Sequence, residues 1–334
     1  MPRLRTAPLE RTRRLDATGA KEASVAGTAL NPVQKLGAYV ALTKPRIIEQ
    51  LLITTIPTMF VARRGVPGFW LMAATLVGGT LAAGGANAIN MVVDRDIDRL
   101  MERTKGRPLV TGAMTPQAAL TFAITIEVLA FVFLWTTVNL LSAALAVTAC
   151  LFYVFVYTLW LKRTSRQNIV IGGAAGAVPV LVGWSAVLNR LDWAPVVLFL
   201  VIFVWTPPHF WALAVKYRDD YAAADVPMLP VVASFRTTAN QIVSYSVVMW
   251  ALTLVFAWVG HMGVFYTTSA VVLGAVFLWH AVVLWRVGAS GEAGLSPASS
   301  ITVRPAMRLF VYSIAYLTLL FCAIAVDQVL QHGF

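Results

Sequence analysis

Residues 68–98 read GFWLMAATLVGGTLAAGGANAINMVVDRDID, an apolar run of membrane-spanning length that ends in acid. It closes on Asn90, Asp94 and Asp98, spaced N-x-x-x-D-x-x-x-D, with Asp96 inside the motif. At 3.6 residues per turn, positions four apart drift only about 40° around the axis, so one helix face presents the three as a ladder. Like charges that close repel, and burial raises their pKa values unless a cation neutralises them. Arg99, Arg103, Lys105 and Arg107 follow, the residue types that grip phosphate. Carboxylates for a divalent metal beside cations for phosphate predict a diphosphate site at a membrane surface.

The bulk numbers predict an all-α, polytopic membrane protein. Hydrophobic residues make up 59% of the chain and charged residues 12%, against about a quarter charged in a soluble domain. Mean hydropathy is +0.74. Cys150 and Cys322 are the only cysteines, which excludes a disulfide framework and a Cys-based metal site. Apolar windows of about 20 residues predict nine spans. They cover 47–62, 68–92, 117–137, 139–161, 168–188, 193–215, 241–260, 266–286 and 307–327. With the N-terminus inside, 23 of the 26 Lys and Arg fall on one side and Arg63, Arg64 and Arg190 on the other. The positive-inside rule then predicts a cytoplasmic N-terminus and a periplasmic C-terminus. The net charge of +11 is thus a topology signal and does not call for nucleic acid. Residues 1–35 are polar and Arg-rich without an apolar signal core, and read as a disordered cytosolic tail. A mitochondrial transit peptide is the alternative. Residues 36–328 form the membrane domain, and 329–334 a short C-terminal tail.

Spans two and six share parity and end on the same side. Span six runs into Lys216-Tyr217-Arg218-Asp219-Asp220-Tyr221, then Asp225 and Pro227 to Pro230. Asp219 and Asp220 read as a second acidic cluster facing the first across a cytosol-facing cavity; ordinary solvated loop acids are the plainer reading. Lys44, Arg46, Lys162 and Arg163 fall on the same side. Singly each is an interface anchor, together a basic rim for an anionic substrate. Gly78-Gly79, Gly84-Gly85, and Gly172-Gly173 with Gly176 read as close helix-packing patches. Pro207-Pro208 predicts a break in span six, with His209 inside it as a structural histidine or a ligand. Glu127, mid-span, is expected to face the bundle interior.

The stretch from Asn90 to Asp98, followed by Met101-Glu102-Arg103-Thr104 and Arg107-Pro108-Leu109, resembles the first signature of the UbiA superfamily of intramembrane prenyltransferases. Four further blocks look like one branch of it, the protohaem IX farnesyltransferases (haem O synthases). They are Leu42 to Arg46, Tyr157-Thr158 with Leu161 to Arg163, Asn168 to Ala177, and Trp205 to Trp211 with Asp220-Tyr221 and Pro227 to Pro230. The resemblance spans roughly residues 36 to 328. It departs from many members in lacking a D-x-x-x-D spacing among Asp219, Asp220 and Asp225, so Asp225 is a doubtful ligand.

The resemblance implies a farnesyl transfer from farnesyl diphosphate to a vinyl group of haem b, with water added to give haem O. It implies Mg²⁺ on Asp94, Asp98, Asp219 and Asp220, with Asp220 ahead of Asp219, and catalytic work for Asn90, Asp94, Asp98 and Asp220. Lys44, Arg46, Arg103, Lys105, Arg107, Tyr157 and Lys162 would hold the diphosphate, and His209 the haem. The bilayer of a bacterial plasma membrane is the implied setting, or alternatively the mitochondrial inner membrane. A downstream haem-modifying enzyme or terminal oxidase assembly is the further partner. Two other readings compete: a quinone-precursor prenyltransferase, distinguished by Trp205 to Trp211, and a transporter, whose acids would sit near the midplane.

Overall fold

The computed structural model describes residues 31–289 and 300–333, and the described part is helical. α1 (Pro32–Thr43) is followed by nine long helices: α2 (Pro45–Arg63), α3 (Phe69–Val93), α4 (Pro116–Thr137), α5 (Leu140–Thr164), α6 (Asn168–Leu188), α7 (Trp193–Lys216), α8 (Phe235–Val259), α9 (Val264–Ala289) and α10 (Ser300–His332). Eight carry windows long and apolar enough to cross a membrane. The exception is α2, which holds Arg46, Glu49, Gln50 and three threonines in 19 residues. It tolerates them because it runs inside the bundle, packed against α6 and α10. Lipid-facing helices need apolar surface, whereas an interior one does not.

One local reading needs correction. Pro207 and Pro208 do not break span six; both lie inside an unbroken α7. Packing against α6, α8 and α10 keeps α7 helical through them. Thr206 bonds back to the Ile202 carbonyl, and α10 receives the Trp205 indole at the Ser313 carbonyl, 3.0 Å away. Within α5, Phe152–Leu161 is wound as a π-helix. α10 continues through His332 and α1 begins at Pro32, so helix reaches into both segments read as tails.

Small residues set the helix spacing where α3 crosses α4. A Cβ on Gly78 would lie 2.4 Å from Leu134, and one on Gly85 would lie 2.6 Å from Glu127. Glu127 therefore turns inward against α3. Exposed Trp70, Trp193 and Trp258 lie at 81%, 77% and 81% relative exposure, at helix ends remote from the acids. Amphipathic rings in that position mark a membrane–water boundary. Each connection leaves every second helix end on the same side, which gathers the start of α2 and the ends of α3, α5 and α7.

Candidate active site

α3 ends at Val93, yet the ladder survives the helix end. Asp94 donates its amide to the Asn90 carbonyl and Asp98 donates to Asp94, both at 2.9 Å, so the four-residue register continues through the short helix Arg95–Asp98. Asn90, Asp94 and Asp98 are all buried, at 3%, 0% and 2% exposure. Burying such groups is tolerable only with partners. Each rung has one. Lys44 Nζ donates to Asn90 Oδ1 at 2.7 Å, Lys162 Nζ to Asp94 Oδ2 at 2.5 Å, and Arg107 Nη1 to Asp98 Oδ2 at 2.5 Å.

The π-wound segment of α5 carries its share of these contacts. Thr158 accepts from Asn90 Nδ2 at 3.0 Å and donates to the Tyr153 carbonyl five residues back. Tyr153 and Tyr157 stack at 5.4 Å, and both line the cavity below. Beyond them Arg163 takes Asp96 bidentately at 2.7 and 2.8 Å and reaches the Val93 carbonyl at 3.2 Å. That guanidinium holds the Asp96 carboxyl down to about 2. At the turn between α1 and α2, burial pushes the Lys44 ammonium down to about 7, and Arg107 and Lys162 repel it further. Lys44 adopts a left-handed backbone, φ 53°, which joins the two helices and places its amine over Asn90.

The second acidic segment packs on the first, with Ile97 and Met101 against Tyr221, Val226 and Met228, and the Arg103 guanidinium 5.7 Å over the Tyr217 ring. Asp220 Oδ2 accepts the Arg103 amide at 3.4 Å. Asp219 is not brought to the site: its side chain is 79% exposed and pairs with Arg218 at 3.8 Å. Lys105 also turns away, bonded to Glu102 in the exposed loop. Asp225 is exposed with a left-handed φ of 53°. The side chain of Arg46 lies outside the described residues. Among the described residues, no three His, Cys, Asp or Glu side chains gather as a metal cluster.

Beneath the polar mouth lies a cavity of about 520 Å³. Lys44, Asn90, Asp98, Arg103, Arg107 and Lys162 rim it. One wall is small, with Gly79, Ala82, Ala83, Ala86, Ala146 and Ala149. The other is aromatic, with Trp205, His209, Phe210 and Phe310. His209 stacks between Trp205 at 4.3 Å and Phe310 at 4.7 Å. Its Nδ1 lies 2.6 Å from Ser313 Oγ, whose own hydrogen goes to the Phe310 carbonyl. Ser313 has one hydrogen to give, so His209 donates from Nδ1 and keeps a free lone pair on Nε2. Sequence gave no sign of Ser313, which stands 104 residues from His209. Thr158 stands in the Tyr157-Thr158 block, where nothing in the spacing marks its hydrogen bond with Asn90.

A helical membrane bundle with a charged mouth over an apolar chamber is the architecture of intramembrane transferases acting on amphiphiles. Solved structures similar to it in fold include a digeranylgeranylglyceryl phosphate synthase, with a TM-score of 0.70 and 16% identity, covering 88% of this chain and 99% of that one. A UbiA homologue from Archaeoglobus fulgidus bound to GPP and Mg²⁺ gives 0.59 at 17% identity, covering 85% and 99%. The chain belongs to the UbiA prenyltransferase family, whose model matches residues 51–294. Within that family it is 52% identical over 297 residues to a Streptomyces avermitilis protein, covering 89% of this chain and 95% of the relative. It is 56% identical over 295 residues to one from Frankia alni, covering 88% and 99%. Both relatives bear the name protoheme IX farnesyltransferase.

Proposed function

We infer that this membrane enzyme transfers the farnesyl group of farnesyl diphosphate to a vinyl group of haem b, with addition of water, giving haem O and diphosphate. The observation that carries the reading is one cavity joining an acid-and-cation mouth to an apolar chamber with a free imidazole nitrogen. The names of relatives more than half identical over most of the chain support it. Membranes containing the enzyme, supplied with haem b, farnesyl diphosphate and Mg²⁺, should yield a haem heavier by farnesyl plus water. Absence of that product, with the enzyme folded, overturns the reading.

The donor set fits Mg²⁺: hard oxygens from Asp94, Asp98 and Asn90, with Asp94 Oδ1 buried and free of any hydrogen bond. Asp94, Asp98 and Asp220 would hold the ion, and its chemistry is to neutralise the diphosphate as leaving group. Lys44, Arg103, Arg107 and Lys162 stabilise charge on that group as the bond from farnesyl C1 to oxygen breaks. The vinyl π electrons then bond to C1, and water takes the cation left on the vinyl carbon and releases a proton. The chamber walls keep bulk water from the first cation.

His209 recognises the acceptor in this scheme, with Nε2 directed to the haem iron or a propionate. His209→Ala should raise KM for haem b by about tenfold or more, the effect of losing one hydrogen bond or ligand worth about 1.4 kcal/mol. Farnesyl diphosphate affinity should change little. Equal loss of both, measured by steady-state kinetics, points to local collapse instead.

The reading places the enzyme in a bacterial plasma membrane with its mouth on the cytoplasmic side. Cysteines placed at Lys105 and Arg218, in a background without Cys150 and Cys322, should react with an impermeant thiol reagent only from inside. A cysteine at Arg190 should react only from outside. Reversed labelling overturns the charge-based topology.

A further inference from the structure

The mouth holds a one-to-one pairing that substrate binding has to break. Asn90 Oδ1, Asp94 Oδ2 and Asp98 Oδ2 are the ladder's outstretched oxygens, and Lys44, Lys162 and Arg107 occupy one each, at 2.7, 2.5 and 2.5 Å. A divalent cation approaching these oxygens meets donors already seated on them, the Lys162 and Arg107 cations and the Lys44 amine. A diphosphate approaching alone meets two buried carboxylates, at 0% and 3% side-chain exposure. Neither partner finds a favourable site by itself. Resting on the diphosphate reading above, we propose that Lys162 and Arg107 are placeholder counter-ions for Asp94 and Asp98, with Lys44 a third placeholder on the neutral Asn90 oxygen. They hold the ladder closed against a bare metal and move to phosphate oxygens when metal and diphosphate arrive together.

The charge balance favours that exchange. Each buried carboxylate keeps one counter-ion throughout, first a side chain of the enzyme and then the metal. Each displaced cation regains an anionic oxygen within reach of a long, rotatable side chain. Lys162 and Arg107 are 15% and 20% exposed at their side chains, so both can swing toward the cavity they rim. Asp94 Oδ1 accepts no hydrogen bond, and Arg163 Nη2 stays 3.9 Å from it because Asp96 holds that guanidinium. This second oxygen is a ligand position left open beside the occupied one.

The consequence is a coupling between metal and anion, which by linkage is reciprocal: each raises the affinity of the other by the same factor. The test uses Mn²⁺ as the metal probe and inorganic diphosphate as the anion probe, on the full-length enzyme in nanodiscs. Bound Mn²⁺ is read by electron paramagnetic resonance, and bound labelled diphosphate by equilibrium dialysis with Mn²⁺ chelation by free diphosphate accounted for. The wild type should bind either probe at least about tenfold more tightly in the presence of the other, within the range of about 5 to 150-fold seen for such couplings. Lys162→Met frees Asp94 and should bind bare Mn²⁺ at least about tenfold more tightly than wild type, while the coupling shrinks. Because an unpaired Asp94 threatens folding, Arg107→Met, which frees the Asp98 carboxylate, provides the same readout independently. Equal Mn²⁺ affinity with and without diphosphate in the wild type overturns the proposal. So does failure of both folded variants to gain bare Mn²⁺. Failure of wild type to bind the two probes together overturns the diphosphate reading itself. Neither probe contains farnesyl or haem, so the outcome is independent of which acceptor the enzyme uses.

Discussion

Asp94→Asn is expected to lower kcat/KM at least about a thousandfold, or about 4 kcal/mol of transition-state stabilisation at 1.36 kcal/mol per factor of ten. The substitution keeps the shape and the hydrogen bond to Asn90 but removes a charge that is 0% exposed. Without it the site loses the counter-ion of Lys162 and, on the proposed reading, a metal ligand. Breaking a buried pair from one side also costs folding free energy, about 3–5 kcal/mol in comparable sites. Thermal stability in detergent should therefore fall alongside activity. A double variant, Asp94→Asn with Lys162→Met, separates the two effects. It should regain much of the stability, since no buried charge is left alone, and none of the activity. A double variant that regains turnover would show that Asp94 serves only to balance Lys162. Asp219→Asn, at an exposed carboxylate paired only with Arg218, should leave turnover within about twofold of wild type, as for an exposed ion pair.

The helices and the ladder were legible because both are written locally. An apolar run long enough to span a membrane is visible in any window, and a four-residue spacing states which face its side chains share. Asn90, Asp94 and Asp98 keep that spacing even past the end of α3. The pairing across helices was not legible. Lys44, Lys162 and Arg107 are separated from their partners by 46, 68 and 9 residues, and nothing in hydropathy fixes how far one helix rotates against another. The π-winding of Phe152–Leu161 turns Lys162 relative to an α-helical register, and its residues carry no composition that announces it. Pro207-Pro208 failed in the opposite way. Two prolines are a strong local signal for a break, overruled here by helices packed on several sides of α7.

A close approach of one helix to the backbone of another also escaped the sequence, and it carries the second large effect. Gly78, Gly84 and Gly172 attract notice as members of glycine clusters, whereas Gly183 stands alone between Val182 and Trp184. A Cβ there would lie 2.5 Å from the Thr55 carbonyl oxygen of α2. At Gly78 the obstacle is the end of a leucine, which can rotate away; at Gly183 it is backbone. Gly183→Ala must therefore push α2 bodily from α6. Overpacking of this kind costs about 1–3 kcal/mol, and an immovable obstacle puts it at the upper end. α2 also carries Gln50, Thr54 and Thr55 into the cavity wall and follows directly from Lys44. A displacement near 1 Å in such a scaffold can lower turnover by about a hundredfold. Gly176→Ala on the same helix, where an added Cβ meets nothing within 4 Å, should leave the melting temperature unchanged. Melting curves and turnover of both variants decide the matter. If Gly183→Ala melts with Gly176→Ala and wild type, then α2 and α6 do not meet at the distance described here, and the position of Lys44 over Asn90 loses its support.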